Sequence, residues 1–197
     1  ELAQDPRSRL SMLETIGSSY FNLGEFDRAQ RTLARLVDAT RSDPRATPVQ
    51  LAGRLMQLAQ VDWQLDVFDD AGRHVAEALA LADSPPIDVA LAAQLLTLRV
   101  QVLSASGQAL PALQAARAAV ARQRELRALP LARGEGLVQL GLAASAAGAH
   151  EEAIQALDAA YELVRGEVGQ LSAESAQLLA ERGRILPPDL DDRRWKD

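Results

Sequence analysis

His74 and His150 are the only imidazoles in this 197-residue chain, and it contains no cysteine. Imidazole is the side chain best suited to proton transfer or metal binding near neutral pH. The two histidines stand in different segments, too far apart for a shared metal site, and a structural use is expected for both. Asp62, Asp66, Asp69 and Asp70 gather carboxylates that could hold a hard cation or a basic partner, because acids at i and i+4 share a helix face. The plainer expectation is a solvated turn whose acids complement the dipole at the start of the next helix, and Glu151-Glu152 read the same way. Gly134, Gly136 and Gly141 lack dinucleotide-loop spacing, and no strand pattern precedes them. Lys196 is the only lysine and sits near the end of the chain, so neither a phosphate-binding loop nor a kinase core can be assembled. No Ser/His/acid arrangement emerges. The chain is expected not to be an enzyme, with no cofactor and no metal.

What remains is composition and pattern. Apolar residues make up 48% of the chain and aromatics only 4%, with Ala and Leu dominant. Ala and Leu lose little freedom in a helix, whereas the β-branched and aromatic residues that strands favour are sparse. The net charge of −6 argues against direct nucleic-acid binding, which needs a basic face. Without cysteine there are no disulfides. The longest weakly polar stretch, Leu137 to Ala149, is too short to span a membrane and carries Gln139 and Ser145. The chain opens at Glu1 in what reads as mid-protein sequence, so it is expected to be a piece of a longer protein whose targeting information lies elsewhere.

The organising signal is an internal repeat. Ala29, Ala71, Ala112 and Ala153 recur at intervals of 42, 41 and 41 residues. Thirteen residues before each stand Ile16, Leu58, Arg99 and Leu140, and twelve before stand Gly17, Ala59, Val100 and Gly141. Five before are Gly24, Asp66, Gly107 and Gly148. Four after are Leu33, Val75, Ala116 and Leu157, and seven after are Leu36, Ala78, Ala119 and Ala160. Small residues let two helices approach closely, and the larger ones form an apolar stripe packed on the neighbour. Arg99 breaks its column and is expected to snorkel or face a charge. Glycine five before the alanine suits a left-handed residue in the turn between paired helices. Pro44, Pro48, Pro85, Pro86 and Pro130 punctuate the joints between pairs, and Pro187-Pro188 follow the last helix. The pattern predicts helices near 6–23, 26–41, 48–65, 68–82, 87–106, 110–127, 131–147, 150–165 and 172–185. That gives four pairs, at about 6–43, 48–84, 87–128 and 131–166, plus a closing helix that caps the last pair. Residues 1–186 are expected to form a single domain, followed by a flexible tail at 187–197.

Leu13, Ile16-Gly17, Tyr20, Gly24, Phe26 and Ala29 fall at the offsets that characterise a tetratricopeptide repeat, and this first segment resembles that family. The resemblance extends over about residues 8–165. The 41–42-residue period is similar to the long, kinesin-light-chain-like variety rather than the common 34-residue form. The opening segment also resembles repeat regions of bacterial serine/threonine kinases and of large bacterial transcriptional regulators. The resemblance implies an all-α, right-handed αα-superhelix whose concave groove, lined by the first helix of each pair, holds a protein or peptide partner. It implies the regulatory part of a larger bacterial signalling protein. The alternative is homo-oligomerisation as a homodimer, with the small, apolar C-terminal half of the groove pairing two copies. A cytoplasmic location is expected, or a periplasmic one if the chain is the distal part of a membrane kinase.

Carried over by position, the groove would present Ser11, Glu14, Ser18, Phe21 and Asn22 from the first pair, then Gly53, Met56, Gln60, Trp63 and Gln64 from the second. The third would add Gln94, Thr97, Gln101, Ser104 and Ala105, and the fourth Glu135, Val138, Leu142, Ser145 and Ala146. Amides pair with peptide backbone and aromatics serve as anchors, although Phe21 and Trp63 could equally be core. With no Lys or Arg among these positions, a receptor that clamps a terminal carboxylate is not expected.

Overall fold

A computed structural model describes residues 6–168. Eight helices follow one another: α1 (Pro6–Asn22), α2 (Phe26–Arg41), α3 (Pro48–Gln64), α4 (Phe68–Ala82), α5 (Val89–Ala105), α6 (Ala109–Glu125), α7 (Pro130–Ala146) and α8 (His150–Val168). No strand occurs among the described residues. The first eight predicted helices are all present, with ends displaced by no more than three residues. The predicted closing helix at 172–185 and the tail at 187–197 lie outside the described residues. Among the described residues no helix is long and apolar enough to cross a membrane.

The chain divides into two compact units, residues 1–107 and 108–197, which carry α1–α5 and α6–α8 respectively. In the first unit, α3 starts at a capping box. Thr47 Oγ1 accepts from Gln50 N at 3.2 Å, while Gln50 Oε1 accepts from Thr47 N at 3.0 Å, and Pro48 occupies the first helical position. Asp88 caps α5 by accepting from Leu91 N at 3.0 Å. The α1–α2 turn closes when Glu25 N donates to Tyr20 O at 2.9 Å around Gly24, whose φ is 75°. The α3–α4 turn repeats that closure, with Val67 N donating to Asp62 O at 2.9 Å. There Asp66 takes the left-handed conformation itself, at φ 59°. The break in the glycine column therefore does not break the turn.

Ala29 and Ala71 are fully buried, as are Leu36 and Leu55. Each such leucine contributes about 1.5–3 kcal/mol relative to exposure. A Cβ on Gly17 would meet Leu33 Cδ2 at 2.6 Å, so the column twelve before the alanine receives the column four after it. The column thirteen before is less regular. Leu58 is buried, but Ile16 is 46% exposed and Arg99 is also exposed. Ile16 thus departs from the expected buried stripe, because Gly17 beside it already takes the position facing α2.

In the second unit Ala112 and Ala153 are fully buried, and Gly141 lies against Leu157 as Gly17 does against Leu33. Gly148, at φ 79°, closes the α7–α8 turn, where Ala149 N donates to Ala144 O at 2.8 Å. The α6–α7 joint uses the same closure, Ala128 N to Gln123 O at 2.9 Å, with Arg127 at φ 53° and no glycine.

Candidate binding surface

Positions i, i+4 and i+7 share one helix face. On α1 that relation joins Glu14, Ser18 and Phe21, with Asn22 beside them. On α3 it joins Met56, Gln60 and Trp63, with Gln64 beside them. Gln101 lies on α5. All nine belong to the first unit, whereas Glu135 lies on α7 in the second.

Phe21 and Trp63 are each half-buried. Phe21 meets Phe26 edge to face, with ring centroids 5.6 Å apart at 63°, and packs on the core that includes Leu33 and Leu36. Trp63 packs against the cluster of Ala59, Ala71, Val75, Leu98 and Val102. Met56 touches both clusters. Each of these side chains is therefore part core and part surface. Around them Asn22 and Gln64 are exposed, while Ser18, Gln60 and Gln101 are half-buried.

Arg54 lies on α3, one position after Gly53 and outside the positions carried over to the groove. It lines a cleft of about 240 Å³ together with Leu10, Ser11, Glu14, Arg45 and Gln50. Its side chain is 14% exposed, its Nη1 donates to Thr40 Oγ1, and its Nη2 lies 3.9 Å from Glu14 Oε2.

The solvated reading of the acidic cluster holds only in part. Asp66 is exposed in the turn, and Asp69 and Asp70 lie in the first turn of α4, as a solvated reading requires. Asp62 is instead 1% exposed. Its Oδ1 accepts from Gln30 Nε2 at 2.7 Å and its Oδ2 pairs with His74 Nδ1 at 2.7 Å. A buried carboxylate needs such partners. His74 thus partners a buried carboxylate, and His150 is exposed at the start of α8.

In the second unit Glu135 on α7 is exposed, but partial desolvation pushes its carboxyl above the usual value. Among the described residues no group of three or more His, Cys, Asp or Glu side chains is placed to hold a metal ion.

No protein-family model matches the chain, and no curated protein does either. Solved structures do. BtubC (BKLC) from P. vanneervenii superposes with a TM-score of 0.76 at 16% identity, covering 93% of this chain and 76% of that one. A Podosopora anserina kinesin-light-chain structure with nearly identical TPR-like repeats gives 0.75 at 16% identity, covering 92% and 87%. The chain has a tetratricopeptide-like repeat fold. A Rap protein solved in complex with Competence and Sporulation Factor shares this tetratricopeptide-like arrangement at a TM-score of 0.68 and 15% identity, covering 86% of this chain and 45% of that one. At these identities the likeness is one of fold.

Proposed function

We propose that this tetratricopeptide-like chain is a non-catalytic scaffold that binds a peptide or protein segment along the faces of α1, α3 and α5. The observation that carries this reading is the pairing of half-buried anchors, Phe21, Met56 and Trp63, with the amides Asn22, Gln60, Gln64 and Gln101 around them. Anchors already fixed by packing lose little freedom on binding, and amides satisfy the backbone of a segment. The similar Rap protein, solved with a bound factor, supports the same use. Glu14 and Arg54 add a charged cleft at one end of this surface. On this reading the chain serves as the regulatory region of a larger bacterial signalling protein and works in the cytoplasm.

The test is a peptide-display selection against the chain, followed by affinity measurements on the selected peptides with Phe21→Ala and Trp63→Ala variants of confirmed helicity. Central aromatic anchors should cost roughly tenfold or more in affinity. Equal affinity for the native chain and both variants would refute this surface. A second reading, self-association, draws on Met12, Ile16 and Leu23, which are 56%, 46% and 76% exposed along one side of α1 and its end. Light scattering behind a sizing column separates the two, since a monomer at tens of micromolar would exclude self-association.

A further inference from the structure

The Asp62 cluster joins three helices: Gln30 on α2, Asp62 on α3 and His74 on α4. It therefore crosses from the first helix pair to the second. Counted from the aligned alanines, these residues stand one after Ala29, nine before Ala71 and three after Ala71. The same three columns at the last joint hold Leu113, Ala144 and Ala156, which are 5%, 0% and 5% exposed. This chain thus closes the same place in its repeat with apolar side chains alone, and a carboxylate is not needed to fill it.

We propose that Gln30, Asp62 and His74 form a registration clasp that fixes the alignment of the first helix pair on the second. Apolar contact is non-directional and tolerates small slips between helices. A buried carboxylate with one directed bond on each oxygen accepts a single alignment, because any slip that moves Gln30 or His74 leaves a buried charge unsatisfied. The clasp is built into the end of α3, where Asp62 O also accepts from Val67 N to close the following turn. Trp63 is the next residue, and Phe21 lies on the helix paired with α2. The clasp therefore sets the spacing between these two side chains whether or not they bind a partner.

The chain has no cysteine, so cysteines introduced at exposed Ser19 and Ala76 would be its only labelling sites. Spin labels there report the distance between the first pair and the second by pulsed electron resonance. The apolar triple variant Gln30→Leu/Asp62→Ala/His74→Ala copies Leu113, Ala144 and Ala156. It should stay folded, with a melting temperature within about 5 °C of the labelled parent. Its distance distribution should broaden roughly twofold or split, as in a core that keeps stability while losing uniqueness. Asp62→Asn, which keeps the shape and two polar atoms, should retain the narrow distribution. A triple variant with the parent's distribution would overturn the proposal, and so would an Asp62→Asn distribution as broad as the triple's. A triple variant that unfolds would also overturn it, by making the cluster a plain stabiliser.

Discussion

A methyl group added to Gly141 would meet Leu157 Cγ at 2.7 Å and Ala153 O at 3.3 Å, so α7 and α8 approach over a position with no room for a side chain. Gly17 and Leu33 repeat the relationship on α1 and α2. Gly53 in α3 and Gly72 in α4 are also helical, yet nothing lies within 4 Å of a Cβ there. Overpacking costs about 1–3 kcal/mol, and alanine regains about 1 kcal/mol of helix propensity over glycine. Gly17→Ala and Gly141→Ala should therefore destabilise by up to about 2 kcal/mol, whereas Gly53→Ala and Gly72→Ala should stabilise by up to about 1 kcal/mol. Thermal melts of the four variants check this. A stabilised Gly141→Ala would show that Leu157 can swing aside.

Asp66 and Gly24 occupy equivalent turns with the same handedness, at φ 59° and 75°. A left-handed conformation costs a non-glycine residue roughly 1 kcal/mol, less for Asp than for most. Asp66 is exposed, and among the described residues no ion pair involves it. Asp66→Gly should therefore be neutral to stabilising by about 0.5 kcal/mol, and Gly24→Ala should destabilise by about 1 kcal/mol. Denaturant melts of the two single variants decide it. A destabilised Asp66→Gly would mean that its side chain supports the turn in a way the left-handed backbone does not explain.

The contrast between these residues also explains how far the sequence could be read. Helix pairs, turns and the close-approach glycines were legible because each repeat restates them at the same offset, so Asp66 was recognisable as a glycine substitute. Ile16 misled because a single column suggested a buried stripe, while adjacent Gly17 is the residue that faces α2. Gln30, Asp62 and His74 occur together at one joint only, with the bonded pairs 32 and 12 positions apart and no periodic signature. Phe21 lies on α1 and Trp63 on α3, as the helix periodicity requires. Their double role, half in the core and half out, depends on Phe26, Leu98 and Val102, neighbours that no local spacing reveals.

Glu135 provides a pH signature for the second unit. Desolvation raises its carboxyl above the ordinary value of 4.5. A raised acid favours the folded state while it is protonated. That contribution is fully present below the unfolded value and is lost as pH rises through the folded one. Glu135→Gln, which mimics the protonated form, should match the native chain in strong acid and exceed it slightly in melting temperature at neutral pH. The difference should be small, because the side chain is partly solvated. Melts from pH 3 to pH 7 test it, and a Gln variant less stable at neutrality would reverse the assignment.

Arg117 and Glu152 give the opposite slope. The guanidinium spans α6 to α8, with Nε donating to Oε1 at 2.8 Å and Nη2 donating to Oε2 at 2.6 Å. These bonds lower the Glu152 carboxyl below 4.5 and raise Arg117, with partial desolvation opposing both shifts. A lowered acid contributes stability above its unfolded value and loses it as pH falls through the folded one. The pair is largely in solvent, so its contribution is small and screened by salt, although bidentate geometry places it above an ordinary surface contact. Glu152→Gln should flatten the acid limb of the stability profile and lower the neutral melting temperature slightly, with both effects reduced at 1 M salt. Arg117→Lys should lose most of the benefit, because an ammonium cannot form the two parallel bonds. If Arg117→Lys behaves as the native chain does, the bidentate geometry is irrelevant and only the charge pairing counts.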